Sequence, residues 1–113
     1  MTASAPPKRP YTIENVEVVA TTPDLRMTVF TIGTGQEIPW HWHSNVSDTY
    51  FGMEGVTVVE TRAPNARYEI GPGQTGVVPP KRAHHVTGKD GTRCKFAVLQ
   101  GVGTYDFNPV GQS

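Results

Sequence analysis

Turn-forming residues interrupt this chain at short and regular intervals, and this punctuation restricts its fold more than any other feature. The 12 Gly and 10 Pro residues include turns such as Gly33-Thr34-Gly35, Gly71-Pro72-Gly73 and Pro79-Pro80-Lys81. About 8–12 residues separate successive turns, which is the strand spacing of an all-β sandwich or barrel. No segment keeps a helical apolar period over three turns. We therefore predict an all-β fold of about nine short antiparallel strands with little or no helix.

The segments between the turns are rich in β-branched and aromatic residues, which favour strands. The predicted strands are Val16 to Thr22, Leu25 to Ile32, Ile38 to His43, Thr49 to Met53, Val56 to Thr61, Arg67 to Ile70, Thr75 to Val78, Ala83 to Thr87 and Arg93 to Gln100. Strands of this number and length need two packed sheets or a closed barrel to protect their edges.

The length of 113 residues fits one domain. We expect a single domain over residues 13–113, preceded by a flexible leader over residues 1–12. Met1 to Pro10 contains three prolines and several small residues, so it cannot bury much surface. A domain of this size buries only about two-thirds of its unfolded surface. We therefore also expect a homodimer, formed through a sheet face or a sheet edge.

Composition excludes several classes of partner. The formal net charge is zero, so the chain lacks the basic surface that binds nucleic acid. No apolar run approaches the roughly 18 residues that span a bilayer, and we expect no membrane partner. Cys94 is the only cysteine, so no intrachain disulfide can form. This usage suits a reducing compartment, and we expect a cytoplasmic location.

A histidine pair on one predicted strand is the first feature that indicates a metal site. His41 and His43 flank Trp42, and residues i and i+2 of a strand point to the same face. Two imidazoles placed in this way can converge on one metal ion. Trp40 and Trp42 then face away from the site, and we expect them in the inter-sheet core or in a dimer contact. Glu37 shares the parity of His41, so it is either a rim carboxylate or a solvated loop residue.

Three further residues follow on other segments. Asp48 comes shortly after His43, and a short reversal over residues 44–47 would place it beside the pair. Tyr50 shares the parity of Asp48, so its hydroxyl either faces the site or is satisfied in the core. His84 lies about 40 residues downstream, and an antiparallel barrel can bring such a strand across from the first.

The spacing of these residues resembles that of the cupin family. The first group reads Gly35-(five residues)-His41-x-His43-(four residues)-Asp48-(six residues)-Gly55, which looks like the first cupin motif with Asp where Glu is usual. The second group reads Gly73-(five residues)-Pro79-x-Lys81-x-x-His84-(three residues)-Gly88 and looks like the second motif. In that group Lys81 stands where Gly is usual, and Gly88 stands where Asn is usual.

The resemblance implies a cupin jelly-roll barrel with a mononuclear metal site. The ligands it implies are His41, His43, His84 and Asp48, with Asp48 as a direct ligand or as a partner that orients a histidine or a bound water. His85 is the alternative third histidine, although its parity is opposite to that of His84. Imidazoles with one carboxylate suit a divalent transition metal, with Fe expected first and Mn, Ni, Zn or Cu as alternatives.

Three functions are compatible with such a site. The first is a metal-dependent enzyme acting on a small anionic or chelating molecule, with a mononuclear non-haem dioxygenase or oxygenase as the leading class. In this hypothesis Asp48 serves as ligand or base, and Tyr50 donates a hydrogen bond. The second is a non-redox isomerase or lyase acting on a sugar or uronate. The third is a barrel that binds a small ligand without turnover.

Overall fold

A computed structural model describes residues 11–110 of the chain. Its ten strands are β1 (Asn15–Thr22), β2 (Leu25–Ile32), β3 (Glu37–Trp42), β4 (Ser47–Glu54), β5 (Thr57–Thr61), β6 (Ala66–Ile70), β7 (Thr75–Val78), β8 (His84–Gly88), β9 (Cys94–Gly101) and β10 (Asn108–Pro109). One turn of 3-10 helix, Lys89–Gly91, follows β8. The prediction of an all-β fold is confirmed. The two-residue β10 adds a strand to the nine that were predicted.

The strands form two five-stranded antiparallel sheets in a jelly-roll arrangement. The first sheet has the order β1-β2-β9-β4-β7, and the second has the order β10-β3-β8-β5-β6. Apart from the hairpins β1-β2 and β5-β6, neighbouring strands are far apart in sequence, so each sheet takes strands from along the whole chain. The metal-site candidates lie on β3, β4 and β8 or just beyond their ends, and these strands belong to different sheets.

Apolar side chains from the two inner faces fill the space between the sheets. Phe30, Phe96 and Val98 come from the first sheet, while Val59 and Val86 come from the second, and each is at most 7% exposed. The rings of Phe30 and Phe96 stack with their centroids 5.5 Å apart. Because these side chains alternate with outward-facing ones along each strand, the same alternation determines which polar residues enter the interior.

A break in the alternation of β3 decides between the two alternatives for Glu37. The pairing of β3 with β8 shifts between Ile38 and His41. As a result, Ile38 and His41 both face the interior although they are three positions apart. Pro39 lies in this bulge, which is a position that suits proline because it interrupts the ladder. Glu37 therefore faces outward instead of lining the rim near His41. Trp40 lies on the outer face, half-buried, as its parity opposite to that of His41 predicts. It is therefore not in the inter-sheet core, and a dimer contact stays a prediction.

The predicted leader lies mostly outside the described residues. Residues 1–10 are not described, and flexibility there stays a prediction. Tyr11 falls at the end of the predicted leader, and it packs against the core beside Phe107, with ring centroids 5.6 Å apart. Within residues 11–110, no helix is long and apolar enough to cross a membrane.

Candidate metal centre

Four side chains with metal-binding atoms meet in the interior of the barrel. His41, His43, Asp48 and His84 are all buried, and one donor atom of each lies within 4.8 Å of the others. Around one ion with bonds of about 2.1 Å, neighbouring ligand atoms are separated by about 3–4 Å. The group is therefore compact enough to hold a single metal ion. The structure brings together the four residues that the sequence predicted as ligands.

Strand pairing explains why these residues meet. His41 of β3 is the register partner of His84 of β8, so the two imidazoles stand side by side on the inner face of the second sheet. Asp48 comes from β4 of the first sheet, where its register partner is Gln100 of β9. The site therefore lies between the two sheets, with these two histidines on the second sheet and the carboxylate on the first.

Asp48 reaches the imidazoles despite its short side chain. Its Oδ2 atom lies 3.0 Å from His84 Nε2 and 3.2 Å from His43 Nε2. The Tyr50 hydroxyl donates a hydrogen bond to the same oxygen over 3.2 Å. Gln100 Nε2 donates to the other oxygen, Oδ1, over 3.1 Å. These contacts fix the carboxylate, and whether it binds a metal directly stays a prediction.

The far nitrogen of each imidazole is held by the backbone. His41 Nδ1 donates to the Pro39 carbonyl over 2.7 Å, His43 Nδ1 to that of Asp106 over 2.6 Å, and His84 Nδ1 to that of Arg82 over 2.9 Å. A carbonyl oxygen can only accept, so each Nδ1 carries the proton. The three Nε2 atoms are then left to face the centre as potential metal ligands. Backbone support of this kind sets both tautomer and ring orientation at metal sites.

Burial and the Asp48 carboxylate shift the pKa values of the cluster in different directions. Burial, together with repulsion from His84, lowers the pKa of His41 to about 3. Burial also acts to lower the pKa of His43, but the hydrogen bond and charge of Asp48 outweigh it and raise that pKa. Burial acts to raise the pKa of Asp48, but hydrogen bonds from His43 and His84 hold it well below its usual range. At neutral pH Asp48 is therefore ionised and His41 is neutral, as metal binding requires.

The donor set fits a divalent transition metal. With every Nδ1 protonated, a neutral imidazole presents a lone pair at Nε2, and these lone pairs converge with an ionised carboxylate. His43 Nε2 is buried, and Asp48 Oδ2 lies 3.2 Å from it. Acceptors facing one another in a buried space need a cation between them to balance the cost of desolvation. The cluster could therefore hold a metal, and the chemistry of its donors does not choose among the candidate ions.

His85 lies outside this group. It points to the outer face of the second sheet, where its Nε2 lies 2.5 Å from Glu37 Oε1. Its ring stacks on Trp40 with centroids 5.4 Å apart. The structure thus places His84 inside and His85 outside, in line with their parity on β8.

A small, mostly apolar cavity adjoins the cluster. Its free volume is about 20 Å³, which is room for about one water molecule. Phe30, Ile38 and Val86 contribute to its walls. Phe107 stacks on His41 with centroids 4.4 Å apart, and Tyr105 lies 5.3 Å from the ring of His43. The segment after β9 therefore forms a roof, and a ligand larger than water needs roof side chains to move aside.

Sequence reasoning missed two residues of the site. Gln100, which is 5% exposed, fixes Asp48. It shares the inward parity of Phe96 and Val98, so a polar residue in an apolar series was the available signal. Asp106 holds His43 through its carbonyl and accepts hydrogen bonds from Ser44 through its carboxylate. The sequence offers no signal for Asp106, because its contact depends on the path of the chain after β9.

The fold and the site together define a class: jelly-roll barrels with an internal cluster of histidines and one carboxylate. A family model described as a cupin domain matches residues 28–100. The chain belongs to the cupin family. No curated protein matches its sequence.

Solved structures share the fold at low sequence identity. KdgF from a Halomonas species is 22% identical, with a TM-score of 0.64 over 77% of this chain and 78% of that one. A cupin-2 domain protein from Shewanella frigidimarina is 20% identical, with a TM-score of 0.63 over 80% and 82%. The oxalate decarboxylase of Lactobacillus farciminis, in its formate complex, is 16% identical, with a TM-score of 0.68 over 77% of this chain and 27% of that one. Identities this low show a shared fold and leave the chemistry open.

Proposed function

We propose that this protein is a metal-dependent enzyme that acts on a small organic molecule, with a mononuclear non-haem dioxygenase as its class. The observation that supports this proposal most is the convergence of three Nε2 atoms and one carboxylate on a buried point beside an apolar cavity. A divalent transition metal, when bound, supplies a Lewis-acidic centre with positions left free for a chelating substrate. Dioxygen is itself apolar, so apolar walls suit an oxygen-dependent reaction.

The residues of the chain have separate roles in this proposal. His41, His43 and His84 hold the ion through Nε2, and Asp48 holds it directly or positions a ligand beside it. Three neutral imidazoles and one carboxylate leave a divalent ion with a net positive charge, which favours an anionic or chelating substrate. The apolar walls exclude water from the reacting groups.

Tyr50 is proposed as a hydrogen-bond donor and not as a base. It is 2% exposed, and burial, with the charge of Asp48, raises its pKa well above the ordinary value. Its hydroxyl therefore stays protonated at neutral pH and donates to Asp48. This role makes Tyr50 a positioning group for the carboxylate.

A non-redox isomerase or lyase acting on a sugar or uronate is the second candidate. The Asp48–Tyr50 hydrogen bond favours it, because a carboxylate that Tyr50 positions over 3.2 Å beside a Lewis acid suits a role as general base. A ligand-binding barrel without turnover shares the same site and would bind substrates of either enzyme unchanged.

Oxygen uptake separates these candidates. The purified protein is loaded anaerobically with Fe(II), and oxygen consumption is followed with catechol, acetylacetone and 2-hydroxy acids. We expect uptake with one of these substrate classes and none in His41→Ala, which lacks a ligand. One equivalent of bound iron without uptake would contradict the dioxygenase proposal. Isomerised or cleaved uronate under the same conditions would favour the second candidate.

We propose further that the protein forms a homodimer through the outer face of its first sheet. Four strands place mostly apolar side chains on that face in two rows, namely Met27-Leu99-Thr49-Val77 and Val29-Ala97-Phe51-Thr75. Phe51 is 37% and Val77 is 55% exposed. Four eight-residue strands about 26 Å long and the four-residue β7, spaced by about 4.8 Å, give a face of about 500 Å². Two such faces bury about 1,000 Å², which is the lower limit for a specific interface.

A further inference from the structure

Arg26 lies on the inner face of the first sheet, close to the start of β2. It alternates with Thr28 and Phe30, which both point into the interior. Its register partner on β9 is Gln100, the residue that fixes Asp48. Arg26 is half-buried. A guanidinium at an inward position is costly to desolvate unless an anion accompanies it.

No carboxylate accompanies Arg26 among the described residues. Its Nε donates to Thr28 Oγ1 over 3.3 Å, and its guanidinium lies 4.4 Å from the centre of the Tyr105 ring. Arg67 and Arg93, by contrast, form ion pairs with glutamates on the surface. Arg26 therefore keeps most of its five N–H donors for another partner.

One aromatic side chain, Tyr105, contacts both Arg26 and the metal centre. Tyr105 lies between them, because the face of its ring carries Arg26 while the ring centre is 5.3 Å from that of His43. Gln100 also lines the cavity. Its Nε2 is committed to Asp48, and its buried Oε1 accepts no hydrogen bond from any described residue. A vacant acceptor thus lines the cavity, and an unpaired cation lies against the Tyr105 ring in its roof.

We infer that Arg26 and Gln100 form a recognition subsite for a small hydroxy diacid that binds at the metal centre. The inference rests on the proposed function, because the metal must hold one end of the ligand. The hydroxy-acid end chelates the ion, its hydroxyl donates to Gln100 Oε1, and the distal carboxylate pairs with Arg26. A divalent ion with Asp48 leaves one positive charge, and Arg26 adds a second, so a dianion matches the site. Tyr105 must turn aside to admit it, since Arg26 rests on its ring.

Two probes isolate the distal carboxylate. Malate and 2-hydroxybutanoate share the same hydroxy-acid end and differ in having a carboxylate or a methyl group at the other. Their affinities for the metal-loaded protein are measured by isothermal titration calorimetry, after the bound metal has been quantified. We expect malate to bind at least tenfold more tightly than 2-hydroxybutanoate, as a charge-assisted pair with arginine provides.

Substitutions of Arg26 test whether its side chain causes the preference for malate. Arg26→Gln should abolish the preference while leaving the affinity for 2-hydroxybutanoate unchanged, and Arg26→Lys should keep part of it. Arg62→Gln is the matched control, because Arg62 also lies over an aromatic ring, at 3.8 Å from the centre of Trp40, but on the outer face. An unchanged thermal midpoint in Arg26→Gln shows that the fold survives.

Each other result counts against the subsite. A wild-type protein that holds one metal per chain but shows no preference for malate would overturn this inference and leave the metal centre standing. A preference that persists in Arg26→Gln, or that Arg62→Gln abolishes equally, would also overturn it. Absence of metal from every sample would overturn both the inference and the proposed function.

Discussion

The three imidazoles of the candidate centre are oriented by the backbone and not by one another. Each Nδ1–H group is bonded to a carbonyl oxygen, two of them on the same strand or loop as the histidine itself. His43 is different, because its partner is the carbonyl of Asp106, 63 residues away. The orientation of His43 therefore depends on the closure of the roof segment, whereas His41 and His84 are oriented locally.

The pKa of His41 makes a testable contribution to stability in the metal-free protein. Its folded pKa of about 3 lies below the unfolded value of 6.5. Between these values the unfolded chain binds the additional proton, so this contribution to the free energy of unfolding falls as pH decreases from about 6.5. The expected slope is about 1.4 kcal/mol per pH unit. Asp48 and His43 titrate as well, so the comparison must isolate His41.

The comparison uses wild type and His41→Gln after a chelator has removed any metal. Chemical denaturation between pH 7 and pH 4 measures the free energy of unfolding of each. Wild type should lose more stability than the variant on acidification, and the difference should grow as pH falls. His85→Gln serves as the control, since His85 lies on the outer face. Parallel pH profiles for wild type and His41→Gln would contradict the assignment of His41 as a buried neutral imidazole.

At the scale of elements, the sequence predicts the strands and most of their faces. Alternation places His84 inside and His85 outside without knowledge of the fold. The same rule would place Glu37 on the inner face with His41, because it assumes an unbroken strand. The bulge at Pro39 reverses the alternation, so that Glu37 faces outward. A proline inside a predicted strand was the available warning. The inward parity of Gln100 was a readable signal, but its contact with Asp48, like that of Asp106 with His43, depends on long-range contacts that the sequence does not show.

Lys81 shows how a departure from the motif is accommodated. Its φ angle is 68°, in the left-handed region that glycine adopts without steric cost. Its N–H donates to the His43 carbonyl over 2.7 Å, so the loop before β8 is bonded to the end of β3. The glycine that is usual at this motif position is explained by this backbone conformation.

Replacement of Lys81 by glycine should therefore stabilise the protein. We expect Lys81→Gly to raise the free energy of unfolding by about 0.5–1 kcal/mol, because relief of the strained φ exceeds the entropy that glycine adds to the unfolded chain. Arg82→Gly is the matched control, since Arg82 is adjacent but has no positive φ, and it should destabilise the protein. Urea denaturation measures both, and a loss of stability in Lys81→Gly would contradict this reading of the loop.

At the scale of the whole molecule, the two sheets differ in their outer faces. The outer face of the first sheet is mostly apolar across four strands, as described for the proposed dimer. The second sheet carries charged residues on its outer face, including Glu37, Glu60 and Arg67. A second copy of the chain is therefore expected to cover the first sheet and not the second.

Sedimentation velocity at micromolar concentration tests this expectation. Wild type should sediment as a dimer, and Phe51→Asp should sediment as a monomer, because it buries a charge at the centre of the interface. Tyr68→Asp is a matched control on the other sheet, since Tyr68 is 39% exposed compared with 37% for Phe51. A monomeric wild type, or dissociation by Tyr68→Asp alone, would contradict the proposed face.

The metal content of the purified protein tests the central claim most directly. The chain is freed of metal with a chelator, titrated separately with Fe(II), Mn(II), Ni(II) and Zn(II), desalted, and analysed by mass spectrometry of the elements. The four converging ligands predict about one ion per chain. His41→Ala/His43→Ala should retain almost none, and His85→Ala should bind as wild type does. A wild type without metal, or an unchanged metal content in the double variant, would contradict the account.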